Sequence, residues 1–136
     1  MAPPNGYAGS KAEWVRIERP LIEVDSIIGA FATEHGLSCS ANYHDWPERS
    51  LIWGNGVRRL IQIYLESEDQ LTFRVWLCAS QDRGLKRFWK QENLRTGLGP
   101  EQLKAELPTL LAQAYEKVNS WQESLLEFAT EMAAIK

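Results

Sequence analysis

Residues 57–80 read VRRLIQIYLESEDQLTFRVWLCAS, and this stretch decides the fold. Apolar side chains recur at every second position on both sides of a polar centre, which is typical of strands with one buried face. The pattern predicts strands over 57–66 and 70–80 that form an antiparallel hairpin. Setting Ile63 opposite Phe73 places every large aliphatic pair on the same side, and such a pattern specifies a register.

Amphipathic helices are predicted on both sides of this hairpin. Apolar residues at helical spacing predict a helix over residues 20–35. A second helical pattern follows the strands. Because a proline removes a backbone hydrogen bond and disfavours a helical residue before it, Pro108 predicts a break. We therefore expect a short helix at about 100–106 and a long one from Pro108 to about residue 132.

Three further segments are less regular. Residues 12–18 alternate weakly, which is consistent with a short edge strand. Residues 38–46 begin like a strand and are then interrupted by turn-forming residues. Gly54-Asn55-Gly56, between two apolar runs, predicts a hairpin turn. For residues 85–95 a strand is favoured, and a helix is the alternative.

The order of these elements predicts the α+β class. We expect an N-terminal helix, an antiparallel meander of three to five strands, and a long C-terminal helix broken near Pro108. The Pro- and Gly-rich residues 1–10 are predicted to form a flexible tail, and residues 11–136 a single domain.

The composition limits the kinds of binding partner and the cellular compartment that we expect. The chain has 136 residues and a formal net charge of −3, which argues against indiscriminate binding to nucleic acid or to an acidic membrane surface. No apolar run suggests a membrane span, and residues 1–10 do not resemble a signal peptide. Cys39 and Cys78, far apart in sequence, are predicted to be free thiols. We therefore expect a cytoplasmic protein.

The sequence contains no motif typical of a catalytic, cofactor-binding or metal-binding site, so we expect no cofactor and no metal. His44 and Asp45 are adjacent, and adjacent side chains on an extended chain point in opposite directions. Cys78 has no histidine placed to convert it to a thiolate. A binding protein is favoured, and a small enzyme with a site around Cys78 and His44 is the alternative.

One side of the predicted sheet carries an unusual set of side chains. The residues that alternate with the core row are rich in Arg, Tyr and Trp, which are enriched at interface hot spots. The candidate interface residues are Arg58, Tyr64, Arg74, Trp76, Arg87 and Trp89.

Three interpretations of this surface stay open. In the first, a helix covers it and the aromatic residues belong to the core. In the second, it is open and binds a protein partner or a second copy of the chain. In the third, bases of a single-stranded nucleic acid stack on Trp76 and Trp89 while the arginines hold phosphates. The acidic net charge makes the third interpretation the weakest.

The helix–sheet–helix order resembles that of small bacterial secretion-chaperone-like domains, which bind other polypeptides. The resemblance implies a chaperone-like role. We therefore expect a non-enzymatic binding or accessory protein that acts through protein–protein contacts and forms a homodimer. The expected interface is the outer side of the sheet or the closing helix.

Overall fold

The structure of the protein is a computed structural model that describes residues 7–43 and 46–128. The helices and strands of this part are α1 (Lys11–His35), β1 (Ser38–Tyr43), β2 (Trp46–Trp53), β3 (Arg58–Ser67), β4 (Thr72–Arg83), β5 (Lys86–Leu98), α2 (Pro100–Ser120), a short 3-10 helix (Glu123–Leu125) and the two-residue strand β6 (Glu127–Phe128). A helix, an antiparallel sheet and a second helix follow one another, so the predicted α+β class is confirmed.

The strands form one antiparallel sheet in which each strand pairs with its neighbours in the sequence, in the order β1-β2-β3-β4-β5-β6. Both helices pack on the same face of this sheet. Their buried residues form one core with the inward row of the strands, which includes the fully buried residues Ile61, Ile63, Phe73, Val75 and Leu77. Within residues 7–43 and 46–128, no helix lies on the opposite face.

Helix α1 begins earlier than predicted, at Lys11, so the edge strand considered for residues 12–18 is wrong. Ser10 caps the helix, because its side-chain oxygen accepts a hydrogen bond of 3.1 Å from the backbone N–H of Glu13. At the other end, Gly36 has the left-handed conformation, with φ 67°, that stops many helices.

Pro20 lies inside α1 and does not mark its start. A proline in a helix interior costs about 3 kcal/mol because it removes a hydrogen bond and crowds the preceding turn. Trp14 and Ile17 continue the apolar stripe of the helix before the proline, and they are 1% and 0% exposed. Burial of two such side chains is sufficient to offset the cost.

Helix α2 is also continuous through its proline. It runs from Pro100 to Ser120, so the predicted break near Pro108 is wrong. Pro108 lies on the exposed side of the helix, where water can reach the carbonyl group that loses its partner.

The predicted extension of this helix towards residue 132 is wrong as far as residue 128. Arg59 of β3 ends the helix by donating hydrogen bonds to the carbonyl oxygens of Val118 at 3.2 Å and Trp121 at 2.9 Å. The carbonyl oxygen of Val118 also accepts a hydrogen bond of 3.1 Å from the backbone N–H of Trp121, so backbone and side chain together hold the end of the helix. Trp121 belongs to the core, as the apolar pattern suggested, but it enters the core from a non-helical segment.

The central hairpin is confirmed, with a register shifted by two residues from the predicted one. Ile63 pairs with Val75 and Leu65 with Phe73, whereas the sequence suggested Ile63 opposite Phe73. The turn is longer than expected, and its last residue, Leu71, has a positive φ of 53°. A shift of two residues keeps every side chain on its predicted face, because strands have a period of two.

The irregular segments are strands. Residues 38–43 form β1, and β5 covers almost all of residues 85–95, so the helical alternative for the latter is wrong. Gly54-Asn55-Gly56 connects β2 to β3, as predicted. Pro47 lies in β2 where the β1–β2 register shifts, so the sheet does not require its missing N–H.

The tail predicted at residues 1–10 overlaps the described residues only at 7–10. There the ring of Tyr7 packs edge-on against Trp14, with 5.0 Å between ring centres. Residues 1–6 lie outside the described residues.

A buried arginine ties β2 to α1. Arg49 is 3% exposed, and its guanidinium donates to the carboxylates of Asp25 at 2.6 Å and Glu18 at 3.2 Å. The side chains of Trp14 and Asn42 also donate to Glu18, at 2.9 and 2.8 Å. Both oxygens of this buried carboxylate are therefore satisfied.

Replacing Arg49 with Met tests this connection, because it leaves the Glu18 carboxylate buried without its charged partner. Removing one partner of a buried ion pair costs about 3–5 kcal/mol, so we expect a loss of that size in the free energy of unfolding. Urea unfolding followed by tryptophan fluorescence measures the loss.

The control for this experiment is Lys104→Met. The Lys104–Glu23 ion pair has side chains that are 48% and 43% exposed, and such pairs contribute at most about 1 kcal/mol. Equal losses for the Arg49 and Lys104 variants would contradict the role assigned to Arg49.

Candidate functional site

The side of the sheet opposite the helices, which we call the outer face, is formed by alternate residues of β2–β5. Strand β4 contributes Arg74, Trp76, Cys78, Ser80 and Asp82. Strands β2 and β3 contribute Glu48, Ser50, Ile52, Arg58, Leu60, Gln62 and Tyr64. Strand β5 contributes Arg87, Trp89, Gln91 and Asn93.

All six candidate interface residues lie on this face: Arg58, Tyr64, Arg74, Trp76, Arg87 and Trp89. The structure brings them together because the strands that carry them are adjacent and in phase. Both helices occupy the other face, so the interpretation in which a helix buries these aromatic residues is wrong for the described part of the chain. The roles of the six residues stay predictions.

The outer face is more apolar than a solvated sheet face. Ile52, Leu60, Trp76 and Trp89 are partly buried by their neighbours and keep part of each side chain exposed. An antiparallel sheet with one side in water normally alternates apolar residues inside with polar residues outside. These partly exposed apolar residues make the outer face the candidate functional surface.

A depression of about 760 Å³ lies at one end of the outer face. Its walls include Tyr64, Arg74 and Trp76, which the sequence predicted, and also Trp46 and Glu48, which it did not. The missed residues precede or follow Pro47, and the proline hides the start of β2 from a reading of alternation. Had the strand been extended back to Trp46, the same period would have placed both residues on this face.

Arg74 and Asp82 lie at opposite ends of the outward row of β4 and differ in their partners. The Arg74 guanidinium lies 5.0 Å from the centre of the Tyr64 ring and donates to the side chain of Asn93 at 3.3 Å. Within residues 7–43 and 46–128 it forms no ion pair, and its buried Nε has no hydrogen-bond partner. Asp82 accepts a hydrogen bond of 2.9 Å from Arg87, and this bond holds the pKa of Asp82 below its usual value.

Cys78 lies at the centre of the outer face and is 7% exposed. Burial raises the pKa of its thiol to about 11, although Arg87 and Arg58 lower it in part. A thiol with this pKa is almost entirely protonated at neutral pH and is a poor nucleophile. His44, the other residue of the catalytic alternative, lies outside the described residues. The surroundings of Cys78 therefore favour a packing role.

Comparison of the chain with protein-family models, with curated proteins and with solved structures finds no match. Across the described ranges, no helix combines the length and apolar character needed to cross a membrane. The same ranges contain no cluster of His, Cys, Asp and Glu side chains arranged to hold a metal ion. Function is therefore inferred from the chemistry and geometry of the outer face.

The two cysteines should differ in reactivity. Burial and the Asp25 carboxylate raise the pKa of Cys39 as well, but Cys39 is exposed, so access decides the order. With a pKa of about 11, about one Cys78 thiol in a thousand is ionised at pH 8. We expect iodoacetamide to label Cys39 first in the folded protein, and Cys78 only after unfolding or as the pH approaches 11.

Mass spectrometry of the labelled chain measures both rates, and the variant Cys39→Ser isolates the signal of Cys78. Fast labelling of Cys78 at pH 8 in the folded protein would contradict the packing role and favour the catalytic alternative.

Proposed function

We propose that the protein is a non-enzymatic binding protein that acts through protein–protein contacts at its outer face. The observation that carries the proposal is the position of Leu60, Trp76 and Trp89, partly exposed, on the face that receives no helix in the described part of the chain. Apolar and aromatic surface is unfavourable in water, and contact with another polypeptide removes it from water.

The residue types on the outer face fit a protein interface. Its residues on β2–β5 include Trp, Tyr and Arg and no Lys, and lysine is depleted in interface cores. Two of the large side chains are held in place before any partner binds. The Trp76 indole N–H donates to Gln91 at 3.1 Å, and Arg74 lies over the Tyr64 ring. Less side-chain freedom is therefore lost on binding.

The charges of the outer face favour a polypeptide over a nucleic acid. The positive residues Arg58, Arg74 and Arg87 lie on the same face as the negative residues Glu48 and Asp82. A face this close to neutral lacks the excess of positive charge that phosphate binding requires. The chaperone-like role implied by the helix–sheet–helix order is one form of polypeptide binding, and homodimer formation is another.

A photo-crosslinking amino acid at position 60 tests the proposal in cells. Leu60 lies in the middle of the outer face, so we expect ultraviolet light to produce a discrete polypeptide adduct, which mass spectrometry identifies. Trp76→Ala should reduce the yield strongly. Truncation of a hot-spot aromatic residue costs about 2 kcal/mol or more, which corresponds to about thirtyfold in affinity.

Two controls accompany this experiment. The crosslinking amino acid at Gln113, an exposed position on α2, should give no such adduct. Trp53→Ala removes a tryptophan from the helix side, where its indole N–H donates to Asn119, and should leave the adduct from position 60 unchanged in a folded variant. The same adducts from positions 60 and 113, no adduct from position 60, or an adduct that nuclease removes would contradict the proposal.

A further inference from the structure

We propose that the polypeptide bound at the outer face is a second copy of this chain. The two copies are related by a two-fold axis that passes beside Cys78 and runs across the strands, parallel to the sheet. This inference rests on the proposed function, because it names the partner of the same face. It is carried by the order of side chains along β4 and by the register of the neighbouring strands.

The outward residues of β4 are complementary to themselves about Cys78. In order along the strand they are Arg74, Trp76, Cys78, Ser80 and Asp82. A two-fold axis at the middle residue places Arg74 of one copy over Asp82 of the other, and Trp76 over Ser80. A cation then faces an anion and a large side chain faces a small one. The small thiol at the centre allows the two sheets to approach.

The residues beside Cys78 continue this arrangement across the sheet. Cys78 pairs with Leu60 on β3, and Leu60 pairs with Ile52 on β2. These three residues form an apolar row that lies along the proposed axis, so each residue meets its own counterpart in the second copy. A two-fold interface is self-complementary in this way, and its core is apolar.

Trp89, which is partly exposed, is also placed opposite a smaller side chain. Trp89 pairs with Ser80, and Asn93 pairs with Trp76, so these two rows lie at equal distances on either side of the axis. The two-fold operation therefore places Trp89 of one copy over Asn93 of the other. Trp76 and Trp89 then each meet a smaller polar side chain, which avoids a clash of large rings.

Unused hydrogen-bonding capacity favours the proposed ion pair. Within residues 7–43 and 46–128, Arg74 forms no ion pair, its hydrogen bond goes to the neutral amide of Asn93, and its buried Nε has no partner. The carboxylate of Asp82 is 65% exposed, and in the described part of the chain its ion pair is with Arg87, which donates to its two oxygens at 2.9 and 3.5 Å. The two residues are separated by roughly 27 Å along one strand, at about 3.4 Å per residue. They cannot pair within one chain, and the two-fold axis brings them together twice.

The size of the face suits a dimer. Four strands about 4.8 Å apart, over nine residues at about 3.4 Å each, give an area of roughly 600 Å². Specific protein–protein interfaces bury about 600–1,000 Å² on each partner. Because the face is nearly neutral, the two copies also meet without strong repulsion, although the chain has a net charge of −3.

Opposite charge reversals test this arrangement. In Arg74→Asp each proposed pair becomes two acids, and in Asp82→Arg each becomes two bases, so each variant alone should associate at least about tenfold more weakly than the native chain. An equimolar mixture of the two variants should regain the native association, because both pairs between unlike copies again carry opposite charges. Sedimentation velocity over a series of concentrations measures all four samples.

The controls distinguish a loss of association from a loss of folding. Circular dichroism checks that each variant is folded. If a reversal unfolds the chain, Arg74→Gln and Asp82→Asn take its place, each expected to weaken association. Lys104→Glu, on the helix side, should leave association unchanged.

In sedimentation velocity, the native protein should have an apparent molecular mass twice the 15.6 kDa of one chain. A native monomer, a dimer that the substitutions at 74 and 82 leave unchanged, or a mixture no tighter than its components would overturn the inference. An adduct at position 60 with a different polypeptide would then still support the proposed function, whereas the loss of every adduct would remove both.

Discussion

Both helices are held against the same face of the sheet by arginines of neighbouring strands. Arg49 of β2 donates to two carboxylates of α1, and Arg59 of β3 donates to carbonyl oxygens at the end of α2. A buried guanidinium is stable only while its partners remain in place, since an unpaired charge in the core is strongly destabilising. Helix α1 cannot move to the other face without leaving the buried Arg49 unpaired, and α2 cannot do so without losing its hydrogen bonds to the half-buried Arg59. The open outer face is thus a consequence of how the inner face is held together.

The contacts of the inner face also explain why two positions in β2 and β3 depart from the alternation of apolar and polar residues. Arg49 and Arg59 occupy inward positions where alternation calls for apolar residues, and each has a partner that only the folded chain supplies. The outer face has no such internal explanation. Trp76 and Trp89 contact their neighbours on the sheet, but nothing in the described part of the chain covers them. The partial exposure of these residues is the basis for the proposal that the outer face contacts another molecule.

The sequence could predict faces better than registers. In β3 and β4, side-chain alternation identified the buried row, and a period of two made that assignment insensitive to a slip of two residues. The slip itself depends on the turn, where Leu71 has a positive φ that no local pattern indicates for a leucine. The predictions based on the two prolines, a helix start at Pro20 and a break near Pro108, were wrong for a related reason. The local rule for proline is sound, but at Pro20 the burial of Trp14 outweighs it, and at Pro108 solvent exposure makes it weaker.

The contrast between local patterns and contacts between distant segments also decides how much of the candidate site could be predicted. Its six residues require only the alternation of β3, β4 and β5, and all six lie on the outer face. Whether that face is open depends on where two distant helices pack, which one strand pattern does not contain. The self-complementarity of the outer face could be predicted only in part from the sequence. The order of charge and size from Arg74 to Asp82 is present in the sequence of one strand. That order can form an interface only if the face is open. It also requires the register that places Leu60 and Gln91 beside Cys78, because this register sets large residues on adjacent strands and their small counterparts at equal distances from one axis.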